Sequence, residues 1–451
     1  MPHSSDKLPK NLPDWLNWIE ILHPDEVELG LTRVKNVAQH LALLDYFRSS
    51  QVKVITIAGT NGKGSTAAVI ERIAHFSGLS VGCFSSPHFI RYNERIRVNN
   101  DEASDQLICQ AFTEIAQHTK DNPLTYFEYG TLAALQVFKN AGVELVILEV
   151  GLGGRLDAVN IIDADIAMIT SIGIDHQDWL GDTREQIGAE KAGILRANIP
   201  LVCGEVALPD SISERVTKFG AHLYQRELNY GLSLNEESQR YEWFGKDALG
   251  TDFRLTDLPT PLVPNESVAS ALQAILLLDS SLLQRSIIQS SLSSLKLFGR
   301  FFKLPNKPVI IDVAHNPDAA KYLSKQLKQN PIKGKRIAVI SVIKDKDLAG
   351  IIDALADDID TWFPAQLDLP RAATVAQMSN SFERQGISAY RTMESIESAL
   401  IAAEKMMTEQ DQLLIVGSFF TAAAALNAWG IGSLAELVNS TDDFIAPGTR
   451  D

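Results

Sequence analysis

Cysteine is scarce in this chain, as are positive charge and long apolar runs. Its 451 residues include three cysteines, Cys83, Cys109 and Cys203, none of them in a C-x-x-C pair. That excludes a disulfide framework and a cysteine-based zinc site, and it reads as ordinary reduced thiols. No apolar run approaches the span of a bilayer, so no membrane crossing is expected. The first residues, Met1-Pro2-His3-Ser4-Ser5-Asp6, have no basic region leading into an apolar core. No secretory signal is therefore expected, and the cytoplasm is the expected compartment. The balance of 41 basic against 56 acidic residues gives a net charge of −15, which argues against non-specific binding to nucleic acid or a membrane surface. An anionic ligand has to be met by local cations. A monomer is expected.

What is present suffices for a core, since 45% of residues are hydrophobic and 22% charged. The length exceeds what one core normally serves, so two domains are expected. From Val52 to about Pro200, strand-like apolar runs alternate with amphipathic helical runs, the signature of an α/β fold with a mostly parallel sheet. Strands are expected at Val52–Ala58, Ser80–Phe84, Leu145–Glu149, Ile166–Ser171 and Pro200–Cys203, with helices at Ser65–Ser77, Ser104–Thr119, Tyr129–Asn140 and Arg184–Ile194. Between Ala221 and Leu258 the pattern becomes polar and short-stranded, predicting a small antiparallel insert, and Ser267–Leu278 reads as a helix. The serine- and leucine-rich stretch Ser290–Lys296 marks a boundary, placing domains at 1–296 and 297–438 with a loosely ordered tail at 439–451. The second domain again alternates strand and helix, as a smaller Rossmann-like unit does.

The most informative segment runs from Val52 to Ser65, an apolar strand entering the turn Gly59-Thr60-Asn61-Gly62-Lys63-Gly64-Ser65. A glycine-rich turn between strand and helix offers free backbone N–H groups at a positive helix end, which binds phosphate. Lys63 then reaches the β- and γ-phosphates of ATP, while the hydroxyl of Ser65 or Thr66 faces Mg²⁺. The general pattern G-x-x-x-x-G-K-[ST] is not met, because Gly59 lies too close to Gly62 and Gly64 separates Lys63 from Ser65.

In open α/β sheets ligands sit beyond the carboxyl ends of the strands. Glu149 ends one strand and is followed by Gly151-Leu152-Gly153-Gly154-Arg155-Leu156-Asp157, so it reads as a metal-binding carboxylate beside the phosphate loop. His176 follows another strand, where residue chemistry alone favours a hydrogen-bonded loop histidine, since Mg²⁺ prefers oxygen. Asp312 and His315 follow a strand of the second domain, and Asp312 either accepts from ribose hydroxyls or caps the helix near Pro317. Lys191 ends a helix, where it either offsets the dipole or, if buried, becomes carbamylated. Arg91, Arg95 and Arg97 form a basic cluster that is either a solvated ion-paired face or a site for substrate carboxylates.

Taken together these segments resemble the bacterial folylpolyglutamate synthase/dihydrofolate synthase family, a branch of the Mur ligase superfamily. The likeness rests on the shortened phosphate loop, Ser85-Ser86-Pro87-His88, Tyr92-Asn93-Glu94-Arg95-Ile96, Thr125-Tyr126-Phe127-Glu128-Tyr129, Leu148 through Ala158, Asp175-His176, Glu190-Lys191-Ala192-Gly193-Ile194, Gly299-Arg300-Phe301, Asp312 through Pro317, Asp345-Lys346-Asp347 and Gly417-Ser418-Phe419. It spans about Trp15 to Leu426.

The resemblance implies that Thr60 to Lys63 cradle the ATP phosphates and that Ser86, Glu149 and His176 bind magnesium, against the bland reading of His176. It implies that Lys191 is carbamylated and serves a second magnesium ion, and that Arg300, Asp312 and His315 serve the nucleotide. Thr125, Tyr126, Phe127 and Glu128, with Leu156, Asp157 and Ala158, correspond to the dihydropteroate pocket, and Glu28-Leu29-Gly30 to another part of it. Lys63, Lys191 and His176 are the expected catalytic residues. One position departs: where the family has an asparagine contacting ATP, this chain aligns Ser267, so either Ser267 makes a shorter contact or Asn265 reaches in its stead. The implied reaction is ATP-dependent addition of L-glutamate to dihydropteroate and then to reduced folates, through an acyl phosphate, in folate biosynthesis.

Overall fold

The computed structural model describes residues 8–23, 28–119, 123–434 and 437. The expected tail at 439–451 lies outside them. Contacts divide the chain into two units, one running to His88 and from Tyr92 to Leu295, the other made of Phe89–Arg91 and the residues from Lys296 onward.

The first unit is built on eight strands: β1 (Lys53–Ala58), β2 (Val81–Phe84), β3 (Ile96–Val98), β4 (Asp101–Glu102), β5 (Leu145–Glu149), β6 (Ile166–Ile169), β7 (Pro200–Cys203) and β8 (His222–Gln225). They order as β4-β3-β2-β5-β1-β6-β7-β8. All pairs from β2 to β8 are parallel, and β3 and β4 are antiparallel at one edge. The central strands are continuous apolar runs because helices cover both faces, leaving only Lys53 of β1 exposed. In this order β1 lies between β5 and β6, with Ile57 opposite Glu149 and Ala58 opposite Ile169. The loops after β1, β5 and β6 therefore emerge side by side at the carboxyl end of the parallel strands.

Two expectations shift here. Leu223-Tyr224-Gln225, expected in the antiparallel insert, instead forms β8, parallel to β7. The helix Asp210–Phe219 supplies the crossover; Ile212 is buried, and Val216 and Phe219 on the same face pack partly buried against the core. The insert itself is the antiparallel sheet β9 (Gly231–Asn235), β10 (Arg240–Lys246) and β11 (Asp252–Leu258). The helix expected from Tyr129 starts at Tyr126, because Thr125 and Glu128 form a reciprocal capping box; it ends at Gly142, whose φ of 63° is left-handed.

The second unit holds β12 (Phe302–Lys303), β13 (Val309–Ile311), β14 (Arg336–Ile340), β15 (Thr361–Pro364) and β16 (Gln412–Val416), ordered β12-β13-β16-β14-β15 and parallel except for β12. Alternate residues enter two separate cores. Ile311, Val339 and Ile415 pack with the helices Ile396–Met406 and Phe419–Ala428, while Ile310, Ile340 and Leu414 pack with Pro317–Gln329, Leu348–Leu355 and Val375–Arg384. A parallel sheet covered on both faces is a doubly wound, Rossmann-like unit.

Candidate active site

The turn after β1 is fixed by close approach. A Cβ on Gly59 would lie 1.8 Å from Thr170 Oγ1, so only glycine fits, and Gly62 has a left-handed φ of 87°. Thr170 Oγ1 donates to Asn61 O at 2.7 Å, Thr60 N–H donates to Ser171 O at 2.8 Å, and Asn61 N–H donates to Ser171 Oγ at 2.8 Å. The residues after β6 thus brace the loop. Sequence reasoning placed Thr170 and Ser171 within the strand and assigned them no role.

The helix Lys63–Phe76 begins directly at the loop, and its first intrahelical bond is Thr66 N–H to Gly62 O. The amides of Lys63, Gly64 and Ser65 precede that bond, at the positive end of a 14-residue helix. Lys63 Nζ donates to Gly59 O at 2.9 Å and Thr60 O at 3.3 Å, folded over its own loop. Ser65 Oγ and Thr66 Oγ1 are buried without a protein hydrogen-bond partner. Buried hydroxyls left unpaired are costly, so a ligand with hard oxygens or a hard cation fits them. Ser267 Oγ lies 3.5 Å from Gly62 O, which places Ser267 at the phosphate loop, whereas Asn265 begins the helix Asn265–Leu278.

Glu149, buried at the end of β5, stands beside this loop: a Cβ on Gly64 would meet its carboxylate oxygens at 3.6 and 3.7 Å. Ser86 N–H donates to Glu149 Oε2 at 3.1 Å, which brings two expected metal ligands together. His176 has a left-handed φ of 53°, precedes the helix Gln177–Leu180, and its N–H donates to Asp175 Oδ1 at 2.9 Å. Lys191 is buried at the end of the helix Arg184–Lys191. Burial, reinforced by the Lys63 charge and opposed by Asp175, lowers its amine from 10.5 to about 7. A fraction of neutral amine is then present near neutral pH, as carbamylation by carbon dioxide requires.

The three segments of the expected dihydropteroate pocket also meet. Gly151 is glycine because the Phe127 ring would lie 2.6 Å from a Cβ there, so Thr125–Glu128 borders the Gly151–Asp157 loop. Arg33 joins the third segment: Nη2 donates to Glu128 Oε1 at 3.2 Å and to Glu28 O at 3.0 Å, and Nη1 pairs with the Glu28 carboxylate. Leu29 is partly buried and Gly30 borders open space. Arg33 was missed by sequence reasoning, since a lone arginine on a helix carries no motif. Leu156 is partly buried, and Ala158 opens a short 3₁₀ turn capped by Asp157.

Asp157 accepts from Leu152 N–H at 2.8 Å and Val159 N–H at 3.0 Å. Burial outweighs those donors and the Lys63 charge, raising its carboxyl from 3.8 to about 6. Between those values the folded state keeps a proton that the unfolded chain has lost, so stability falls as pH rises through this window. The stability of wild type relative to Asp157→Asn should drop by about 3 kcal/mol from below pH 4 to above pH 6, read from urea melts across pH. A pH-independent difference contradicts the assignment.

The basic cluster is neither of the two alternatives as a whole. Arg97 is paired with Glu71 at 2.7 Å inside the unit, and Arg95 lies between the Tyr92 and Tyr126 rings at 5.4 and 5.5 Å while Nε donates to His88 Nδ1 at 2.8 Å. Burial and the Arg95 charge lower His88 to about 4, which keeps it a neutral acceptor. Arg91 is exposed and belongs to the second unit.

In that unit Asp312 follows β13 and accepts from Phe301 N–H and Ala314 N–H, each at 2.8 Å. It does not cap the next helix; Asn316 does, accepting from Ala319 N–H. Arg300 lies over the Phe419 ring at 5.6 Å, and the His315 ring is 6.4 Å from the same ring while Nδ1 bonds Val313 O at 2.9 Å.

Residues 57–278 match the Mur ligase middle domain, and residues 299–419 match the Mur ligase glutamate ligase domain. A dihydrofolate synthase/folylpolyglutamate synthase of Escherichia coli (strain K12) is 43% identical over 414 residues, 91% of this chain and 94% of that protein. The structure of E. coli FolC in complex with DHPP and ADP is similar with a TM-score of 0.84 at 41% identity, over 93% of this chain and 98% of that one. A bifunctional folylpolyglutamate synthase/dihydrofolate synthase with Mn, AMPPNP and L-glutamate bound is similar with a TM-score of 0.83 at 42% identity, over 93% of this chain and 98% of that one. Identity of this order along nearly the whole length, joined to the phosphate loop braced against β6 and the carboxylate at the end of β5, has one reading: the chain belongs to the dihydrofolate synthase/folylpolyglutamate synthase family of Mur ligases.

Proposed function

We propose that this protein is an ATP-dependent ligase that joins L-glutamate to dihydropteroate, giving dihydrofolate, and adds further glutamates to reduced folates, with release of ADP and phosphate. The observation that carries the proposal is the meeting of Lys63, two unpaired buried hydroxyls and the Glu149 carboxylate at the carboxyl ends of β1 and β5. A carboxylate is a poor electrophile, and transfer of the γ-phosphoryl group of ATP to it creates a leaving group. The amine of glutamate then attacks the acyl phosphate and expels phosphate.

Ser86, Glu149 and His176 would hold a magnesium ion and a carbamylated Lys191 would serve a second, supplying positive charge that neutralises phosphate. Lys63 leaves its two loop carbonyls and contributes a cation that orients the terminal phosphate. The amides at the helix start hold the remaining phosphate oxygens. Arg300, Asp312 and His315 of the second unit keep their nucleotide assignment within this proposal, as does Ser267. Thr125 to Glu128, Glu28 to Gly30 and Leu156 to Ala158 are the proposed walls for the pteroate ring system. No helix among the described residues is long and apolar enough to cross a membrane, and a monomeric, cytoplasmic enzyme is part of this proposal.

Purified protein given ATP, Mg²⁺, glutamate and dihydropteroate should release ADP and form dihydrofolate, and tetrahydrofolate should gain glutamate in a parallel reaction. Absence of both products contradicts the proposal; absence of one removes that activity alone.

A further inference from the structure

Arg97 uses all five of its guanidinium donors. Nε donates to Glu71 Oε1 at 3.0 Å and Oε2 at 3.1 Å, and Nη2 donates to Glu71 Oε2 at 2.7 Å and Cys83 Sγ at 3.1 Å. Nη1 donates to Ser85 Oγ at 2.8 Å and Glu94 O at 2.7 Å. The Glu71 side chain is 3% exposed, so its charge stands or falls with this partner. A forked pair of this kind fixes orientation as well as charge.

Its location matters more than its strength. Glu71 lies on the helix that starts at Lys63, about two turns along. Ser85 immediately precedes Ser86, whose N–H is bonded to Glu149, and Ser85 N–H is itself tied to Arg95 O at 3.0 Å. A continuous line of bonds therefore runs from the phosphate-loop helix through Glu71, Arg97 and Ser85 to the Ser86–Glu149 pair, and Glu149 returns to the loop at Gly64. The Ser85 hydroxyl takes one Nη1 donor and so ties the guanidinium to the turn that carries Ser86.

We propose that Arg97, oriented by Glu71, is a positioning residue of the divalent-cation site: it holds the Ser85–Ser86 turn, and through it the Ser86 hydroxyl and Glu149 carboxylate, in register with the phosphate loop. The inference rests on the reading of Ser86 and Glu149 as cation ligands. Magnesium and manganese sites of this kind demand near-ideal geometry, and loss of a group that orients a ligand typically weakens metal affinity about 10- to 100-fold.

The test uses the full chain and two variants, Ser85→Ala and Arg97→Lys. Mn²⁺ binding is followed by its electron paramagnetic resonance signal in the presence of a non-hydrolysable ATP analogue, beside thermal melts of each variant. Ser85→Ala breaks one bond and leaves the ion pair whole, so it should melt within about 2 °C of wild type yet bind Mn²⁺ about tenfold more weakly. Arg97→Lys keeps the charge but not the fork, and should also bind Mn²⁺ at least about tenfold more weakly. Wild-type Mn²⁺ affinity in Ser85→Ala and Arg97→Lys, or lowered melting temperatures with unchanged affinity, overturns the inference and leaves the pair a structural fastening. A wild type that binds Mn²⁺ with nucleotide but forms no amide overturns the ligase reading, and the Mn²⁺ comparison still decides this one.

Discussion

Lys63→Ala should lower glutamate-dependent ADP release about a thousandfold while leaving the protein folded. The magnitude follows from removing the cation that meets the charge rearranged during phosphoryl transfer. The retained fold follows from position, since Nζ bonds the carbonyls of its own loop, Gly59 and Thr60, at a strand-to-helix turn that Thr170 and Ser171 brace independently. The same substitution removes a neighbouring positive charge from Lys191, whose amine should then titrate above about 7. Steady-state kinetics together with a thermal melt check the prediction. Activity within tenfold of wild type in a folded variant contradicts it.

Glu149→Gln should reduce Mg²⁺-dependent turnover about 10²- to 10³-fold with a melting temperature within about 3 °C of wild type. Glutamine is nearly isosteric, and its carbonyl oxygen can still accept from Ser86 N–H, so the strand end keeps its shape. What is lost is the negative charge beside Gly64 that a hard divalent cation requires. The measurement is initial rate against Mg²⁺ concentration. An unchanged metal requirement in a folded variant means that Glu149 serves the strand end and not the cation.

Much of this architecture was legible because the signals are local. An apolar strand followed by Gly59 to Ser65 predicts a strand–turn–helix with free amides at the turn through backbone chemistry alone, and the strand ending in Glu149 is found where a continuous apolar run ends in a carboxylate. Positions whose role depends on distant chain were not legible. Thr170 matters because β6 lies beside β1 and a hydroxyl there leaves no space for a Cβ on Gly59. Arg97 and Glu71 are 26 positions apart on different elements, so their fork exists only once β3 has packed near the Lys63–Phe76 helix. The helix Asp210–Phe219 carries a narrow stripe, Ile212, Val216 and Phe219, that sequence reasoning passed over, and without that helix β8 reads as part of the antiparallel insert. A second miss with a usable signal is the start of the Tyr126–Ala141 helix: Thr125 followed three residues later by Glu128 is a capping box, and it moves that start ahead of Tyr129.

The acyl phosphate is the step on which the proposed chemistry depends, and an isotope shows it directly. Dihydropteroate carrying ¹⁸O in both carboxylate oxygens, turned over with ATP, Mg²⁺ and glutamate, should pass one ¹⁸O to inorganic phosphate and keep the other in the new amide, as mass spectrometry of both products reads. Unlabelled phosphate formed together with dihydrofolate would contradict the account.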